Sequence, residues 1–517
     1  MKFFKASKAT YARAFVPVVL AALAVMIAGW SLALAAPQSI VILHTNDTHA
    51  HVDPFKPGGS NDEVGGSAKL AGLIGVIRAD SGEIPVLLFD AGDAIQGSNV
   101  GNAFAGASII AIMNQIGYNL MAIGNHEFDY GQDALKERMK EARFPLVGAN
   151  IIDEKSGEPF ANSYAVFNVG GVKLGVLGLS PQETPIVTHP KNVIGLKFDD
   201  PIQKAAEIAQ ILKDVEKVDI IVALTHIGFE NDQKLAEAVP AINLIIGGHS
   251  HTKLDKPVKV GDTTIVQTGE YGANLGYTRL MVEDGKLLSV DARLIPVTKD
   301  VAEDSAVREM LDGYKAELKG KMDVVVGEAT VALDGERANV RTKETNLGDL
   351  ITDIMRSAVA ADVAFTNGGG IRASIKPGPI TLGAIYSAIP FDNTLVKLEV
   401  KGSELLAALE RGVSGYPKEA GSFLHVSGLS FEFDPAKPAG QRVVGATVGG
   451  RPLDRDAVYT VATNDFMAAG GDGYDMFKSA KKLADTGIFL RDAAAQYITG
   501  IGKVAASVEG RIKVAGQ

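Results

Sequence analysis

Short apolar runs alternate with stretches of helical periodicity along most of this chain. Residues 40–43, 86–89, 120–123, 220–224 and 244–246 are Ile-, Val- and Leu-rich, and each runs into glycine or polar residues. Such runs predict buried strands. Between them, residues 68–78, 103–115 and 201–215 carry apolar positions at helical spacing. Asp199-Asp200-Pro201 predicts the start of the last helix: an aspartate accepts free N–H groups of a first turn, and proline's fixed φ suits that turn. Strands alternating with helices predict a layered α/β domain whose functional side chains collect on loops at strand ends. The strand pattern continues to about Val297. Residues 302–321 are charged and helical in pattern and read as a connector. A second, smaller α/β segment begins near Val324 and carries Gly368-Gly369-Gly370, Pro390-Phe391 and Gly470-Gly471-Asp472-Gly473 at expected turns.

With 517 residues the chain exceeds what one hydrophobic core sustains. The expected division is 36–300, a helical linker or hinge at 301–322, and 323–517. Composition is that of a soluble globular protein, 46% hydrophobic and 22% charged. The N-terminus departs from it. Lys2, Lys5, Lys8 and Arg13 precede an uncharged apolar stretch to about Ala36, and Ala33-Leu34-Ala35 offers a small-residue cleavage site. This predicts a secretory signal removed after Ala35, with an uncleaved anchor as the alternative. Export to the periplasm or cell exterior follows. Losing those four cations and no acid takes the formal charge from −10 to −14. So acidic a body argues against gripping a nucleic-acid polymer, and an anionic substrate must be held by local cations. There is no cysteine, which excludes zinc–thiolate sites and leaves His, Asp, Glu and Asn as metal donors.

Those donors sit where the strand pattern ends. Asp47, His49, Asp93, Asn125, His226, His249 and His251 each follow an apolar run. Residues two apart leave an extended chain on the same side, so Asp47-x-His49 and His249-x-His251 each read as a pair of ligands from one loop. A carboxylate such as Asp93 can bridge two cations roughly 3.5–4 Å apart. Mixed nitrogen and oxygen donors suit zinc, manganese or iron and fit calcium poorly. A lone histidine beside a strand is usually structural, but eight of the nine histidines lie between residues 44 and 251. Four of those eight belong to this set. His44, His51, His189 and His425 are left as structural or supporting, with His51 the first choice to support the site. His126 and Asp129, three apart, suggest a dyad: the carboxylate orients the imidazole, which then stabilises developing charge or assists a leaving group.

Leu43-His44-Thr45-Asn46-Asp47-Thr48-His49, Asp90-Ala91-Gly92-Asp93, Gly124-Asn125-His126-Glu127-Phe128-Asp129 and Gly247-Gly248-His249-Ser250-His251 together resemble the exported 5′-nucleotidase / UDP-sugar hydrolase family. The resemblance covers essentially the whole mature chain. It implies a four-layer α/β/β/α metallophosphoesterase sandwich followed by a smaller α/β nucleotide-binding domain. By position, Asp47, His49 and His251 would hold one divalent metal ion (Zn, Mn, Co or Mg). Asn125, His226 and His249 would hold a second, with Asp93 bridging and His126–Asp129 as the catalytic dyad. His251 stands at a position that varies among relatives. In the second domain Arg341, Asn367 and Arg372 match substrate-contacting residues. Phe391 and Phe466 match aromatics that sandwich the base, and Asp472 the carboxylate that grips the ribose.

The residue types agree with those roles. Two aromatic faces hold any base with little selectivity, and arginine offers paired donors to phosphate. The expected activity is hydrolysis of phosphate esters or anhydrides of nucleotides by a monomer or weak dimer, part of nucleotide catabolism. Within the family, 2′,3′-cyclic-nucleotide phosphodiesterase with 3′-nucleotidase activity and a thiosulfohydrolase are the alternatives. A periplasmic nucleotide-binding protein without catalysis is the alternative from another class. With the site split between domains, rotation about residues 302–323 is expected to open and close it.

Overall fold

The computed structural model describes residues 37–57 and 62–516. The expected signal sequence, its cleavage site and the alternative anchor lie outside the described residues. Among the described residues no helix is long and apolar enough to cross a membrane.

Two six-stranded sheets form the N-terminal half. One runs in the order Lys286–Pro296, Asn274–Glu283, Gln38–Thr45, Val86–Asp90, Leu120–Ala122, Leu146–Val147. The other runs Val258–Val260, Thr263–Val266, Leu244–Ile246, Ile220–Thr225, Val172–Leu179, Tyr164–Val169. Alternation along the strands explains how they stack. Ile40 and Ile42 join Phe89, Val176, Val222 and Leu224 in a core between the sheets. Val41 and Leu43 point to the other face, into Leu70, Ile74 and Ile110 from covering helices. The second sheet repeats this, with Leu177, Leu179 and Ile221 packed on Ala205, Ile208 and Leu235. Each such side chain contributes about 1.5–3 kcal/mol on burial. Strands apolar on both faces demand cover on both faces, and the result is the expected four-layer α/β/β/α sandwich.

Parallel pairing positions the site. Gln38–Thr45, Val86–Asp90 and Leu120–Ala122 run parallel, as do Val172–Leu179, Ile220–Thr225 and Leu244–Ile246. Their C-terminal ends therefore open on common edges, and the motif loops leave from there. Asp200 accepts from Ile202 and Gln203 N–H ahead of helix Pro201–Asp214, as its sequence predicts. The helix expected over 103–115 is instead two, Asn99–Ala103 and Ala107–Ile116. Ala105 and Gly106 between them have φ of 46° and 81°. Left-handed residues end a helix, and a side chain at Gly106 would meet Ile95.

The connector is helix Ser305–Met322, capped by Asp304. Its Val307 and Leu311 are buried in the N-terminal core, and Met310, Tyr314 and Leu318 pack against it. It is thus a wall of the first half rather than a free tether. Beyond it a five-stranded sheet, ordered Leu424–Ser427, Val363–Asn367, Val458–Asn464, Thr394–Lys401, Lys481–Phe489, carries the second half with three- and four-stranded sheets beside it. Helix Asn346–Ala358 buries Leu350, Ile351, Ile354 and Met355 in that half's core.

Candidate active site

The site is built from backbone conformation first. Asp47, His49, Asp93, His249 and His251 all have positive φ, between 46° and 75°. Non-glycine residues tolerate this region at a cost of order 1–3 kcal/mol each, and only where surrounding bonds over-determine it. Those bonds are present. Asp47 N–H donates to Gly92 O, His49 N–H to Asp93 O and Ala50 N–H to Ala94 O, zipping two loops together. Asn46 accepts from Thr268 N–H and hydroxyl and donates to the Asp47 carboxylate at 2.7 Å. His249 N–H donates to the same carboxylate at 2.9 Å.

Glu127, given no part in the sequence analysis, is the hub of the second layer. Wholly buried, it accepts from Asp93, Ala94 and Gly124 N–H at 2.8 Å and Ile95 N–H at 3.4 Å. Burial, then the Asp93 charge, pushes its carboxyl up to about 7. Four converging N–H groups are nevertheless satisfied only by the acceptor-only, ionised form. Glu127 thereby fixes the loop carrying Asp93 against the turn carrying Asn125 and His126.

Two donor groups result. Asp47, His49 and His251 present ligand atoms within 4.8 Å of one another, and so do Asp93, His226 and His249. Asp93 also groups with His49 and His126. Its Oδ2 lies 2.9 Å from His226 Nε2 and 3.9 Å from His49 Nε2, so one carboxylate stands between the two groups. Each spaced pair supplies donors, Asp47 and His49 to one group, His249 and His251 to different groups as the resemblance implies, and all four have left-handed backbone.

The donor set fits two divalent cations. Asn125 Oδ1 is buried without a hydrogen-bond partner, a costly state unless something else binds it, and His226 Nε2 faces the Asp93 carboxylate at 2.9 Å. Burial alone would depress His226, yet the Asp93 and Asp47 carboxylates lift it to about 10. The pocket's field thus favours positive charge. Far nitrogens are anchored: His226 Nδ1 to Ala91 O at 2.6 Å and His49 Nδ1 near Gln96 O at 3.3 Å.

His126 stands beside these groups. Its N–H donates to Asp93 Oδ1 and its Nδ1 bonds Asp129 Oδ2 at 2.6 Å. Burial opposes its protonation, but the Asp129 and Asp93 charges raise it above its ordinary value. Asp129 is itself held by Thr188 Oγ1 at 2.8 Å and Asn192 Nδ2 at 3.0 Å.

A cleft of about 830 Å³ opens over this floor. Its far wall is the second half of the chain: Arg341, Asn367, Arg372, Phe391, Phe466 and Asp472 all line it, as do Asp93, Asn125, His126, Asp129, His249 and His251. Asp47, His49 and His226 are buried beneath. Burial, then the charges of Arg337 and Arg372, holds Arg341 well below its ordinary value, and its Nε has no partner. Arg337 is paired with Glu419 at 3.0 Å, so Arg341 and Arg372 are the cations placed to meet an anion in the cleft. Asp472 is left-handed (φ 53°) and receives Asn367 Nδ2 at 2.6 Å. Phe391 lies 5.8 Å from His126, ring to ring and nearly parallel. A side chain at Gly471 would collide with Phe466, so glycine is what lets this turn lie against the ring.

Several lining residues escaped the sequence analysis. Arg337 precedes Arg341 by four, a spacing that puts both on one side of a helical turn and could have revealed it. His189, left as structural or supporting, lines the cleft and bonds Asp465 across it at 3.2 Å. His51, the favoured support, stacks on Tyr271 at 3.9 Å. Glu270, whose carboxylate bonds His251, carried no local signal.

The calcineurin-like phosphoesterase family model matches residues 40–253, and that of the 5′-nucleotidase C-terminal domain matches 325–479. A 5′-nucleotidase of Diplobatis ommata is 33% identical over 95% of this chain and 92% of its own length. The chain belongs to the 5′-nucleotidase family. The trifunctional nucleotide phosphoesterase YfkN of Bacillus subtilis is 34% identical over 92% of this chain, which spans about a third (35%) of that protein. Among solved structures, a 5′-nucleotidase precursor from Thermus thermophilus superposes with a TM-score of 0.86. It is 38% identical, over 93% of this chain and all (100%) of that one. As a member of this family the protein is a metal-dependent hydrolase of nucleotide phosphoesters.

Proposed function

We propose that the protein is an exported 5′-nucleotidase that also cleaves phosphoanhydrides of nucleotide sugars. The observation that carries this is a cleft in which three arginines and two aromatic rings of one domain face the imidazole–carboxylate floor of the other. Its volume suits one small ligand. Domains at 36–300 and 323–517 are proposed, joined through helix Ser305–Met322, with rotation pivoting where that helix ends at Asp323-Val324. The basic, then apolar, N-terminal segment supports export.

Asp47, His49 and His251 would hold one ion and Asn125, His226 and His249 the other, sharing Asp93. Two divalent cations bound there would supply Lewis acidity at the phosphoryl oxygens and a water nucleophile near neutral pH. Asp129 occupies Nδ1 of His126, leaving Nε2 for the oxygen on which charge develops. Arg341 and Arg372, with Arg337 beside them, neutralise phosphate charge. Phe391 and Phe466 hold the base and Asp472 the ribose hydroxyls. Energy from these remote contacts positions the reacting phosphate.

Product analysis together with phosphate release from AMP, UMP, ADP, UDP-glucose, cyclic AMP and 3′-AMP tests this, with UMP and glucose 1-phosphate the products from UDP-glucose, repeated after chelation and re-addition of Mn, Zn, Co or Mg. AMP and UMP are expected to be cleaved fastest, with activity lost on chelation. Preference for cyclic AMP or 3′-AMP would favour the phosphodiesterase alternative.

A further inference from the structure

The ligand histidines are not all backed alike. His226 Nδ1 bonds the Ala91 carbonyl and His49 Nδ1 approaches the Gln96 carbonyl, both neutral dipoles. His249 Nε2 lies 3.5 Å from the Glu183 carboxylate, and His251 Nδ1 directly bonds that of Glu270. Its other nitrogen, Nε2, lies 3.2 Å from both Asp47 Oδ1 and His49 Nε2. The imidazole thus bridges the first donor group and an acid that belongs to neither group.

Glu270 is held for this position on both sides. The carbonyl of Gly269 accepts from Asn46 Nδ2 at 2.6 Å, and Tyr271 N–H donates to the Asp47 carbonyl at 2.8 Å. Tyr271 has φ of 57°, and its ring stacks on His51 and meets the edges of His49 and His251. The turn bearing Glu270 is therefore fastened to the same loop that presents Asp47 and His49. Its side chain remains one-third exposed (32%), at the wall of the cleft.

We propose that Glu270 is a positioning carboxylate for the ion held by Asp47, His49 and His251, an inference that rests on the two-ion reading above. It fixes the proton of His251 on Nδ1, so that Nε2 presents its lone pair to the ion. As an anion it makes that imidazole a stronger donor than a carbonyl partner would. Glu270 is what makes the His251 imidazole a firm ligand. The site that uses it should hold its ion more tightly than the same site without it.

The test is metal binding by the full chain, stripped with a chelator and titrated with Mn(II) or Zn(II), with metal content counted separately. The wild-type protein is expected to take up two ions. Glu270→Ala should weaken one of them by about 10- to 100-fold and leave the other unchanged. Glu270→Gln, which keeps an acceptor for Nδ1 but not the charge, should fall between. Adding Glu270→Ala to His251→Gln should weaken binding no further than His251→Gln alone, and thermal unfolding of the stripped variants should match wild type. Two ions bound equally well by wild type and Glu270→Ala would overturn this inference alone, as would equal weakening of both ions or additivity with His251→Gln. A wild-type chain that takes up at most one ion would overturn the two-ion reading and this inference with it.

Discussion

At the scale of single residues, the proposed roles separate groups that would hold ions from groups that would act on substrate. His126 Nδ1 is committed to Asp129, so His126→Ala should leave metal content near two ions per chain. It should lower kcat by about 10²- to 10⁴-fold, the usual worth of a positioned acid–base group. Loss of metal in that variant would make His126 a ligand instead. The two rings make a different prediction. Base stacking is worth about 1–3 kcal/mol, so Phe391→Ala or Phe466→Ala should raise KM for AMP by roughly 5- to 100-fold. Hydrolysis of a small aryl phosphate, which has no base to stack, should hardly change. Equal losses on both substrates would refute the stacking role. At this scale the metal-type donors were most legible, because they announce themselves by residue type, whereas the aromatics were named only through the family resemblance. Glu127 and Glu270 gave no such signal, since a carboxylate that serves its neighbours through N–H groups or an imidazole looks like any surface acid.

At the scale of elements, segment 188–192 links the two sides of the cleft. Thr188 and Asn192 hold Asp129, and His189 Nε2 reaches Asp465, the residue before Phe466. His189 Nδ1 already accepts from Lys191 N–H, so Nε2 carries the proton and donates. Asp465 in turn accepts from Thr394 N–H, close to Phe391 in the chain. One strap thus connects the dyad to the turns that carry both rings. A single bond to a charged group contributes about 1.5–3 kcal/mol. His189→Ala should therefore raise KM for nucleotides by roughly 10-fold or more while affecting an aryl phosphate less. An unchanged KM would mean the strap contributes nothing to closure. Periodicity found the elements that cover a sheet, but not the break at Ala105-Gly106 or this strap, both set by contacts with distant chain.

At the scale of the whole molecule, closure and pH are the levers. Glu230 of the first half and Lys418 of the second approach to 2.7 Å on exposed side chains. The chain has no cysteine of its own, so Glu230→Cys with Lys418→Cys, joined by a short bis-maleimide, should trap the closed form and depress turnover. Full activity of the cross-linked protein would argue against domain rotation. Stability should depend on pH through two buried groups of the second half. Burial, then Glu344, pushes Asp349 up to about 8. A raised folded-state value means its contribution is present at low pH and lost as pH climbs from about 4 to about 8. His425 runs the other way: burial lowers it to about 4, so its contribution is lost as pH falls from 6.5 toward 4. The two slopes oppose each other below pH 6.5, so the melting temperature should decline from about pH 6.5 to about pH 8, and Asp349→Asn should flatten that decline. An identical slope in the variant would exclude Asp349 as its source.

The chain's own pattern determined a layered α/β domain with candidate metal donors at its strand ends, because strand alternation and residue chemistry are local properties. It also named the residues of the far wall, through their resemblance to a family. Which carboxylate backs His251, and how the Arg341–Arg372 wall comes to face His126, were decided only by the folded chain. Those facts depend on left-handed turns and on bonds between segments hundreds of residues apart, such as His249 to Asp47 and Arg372 to His49. No periodicity along a sequence encodes a contact of that span.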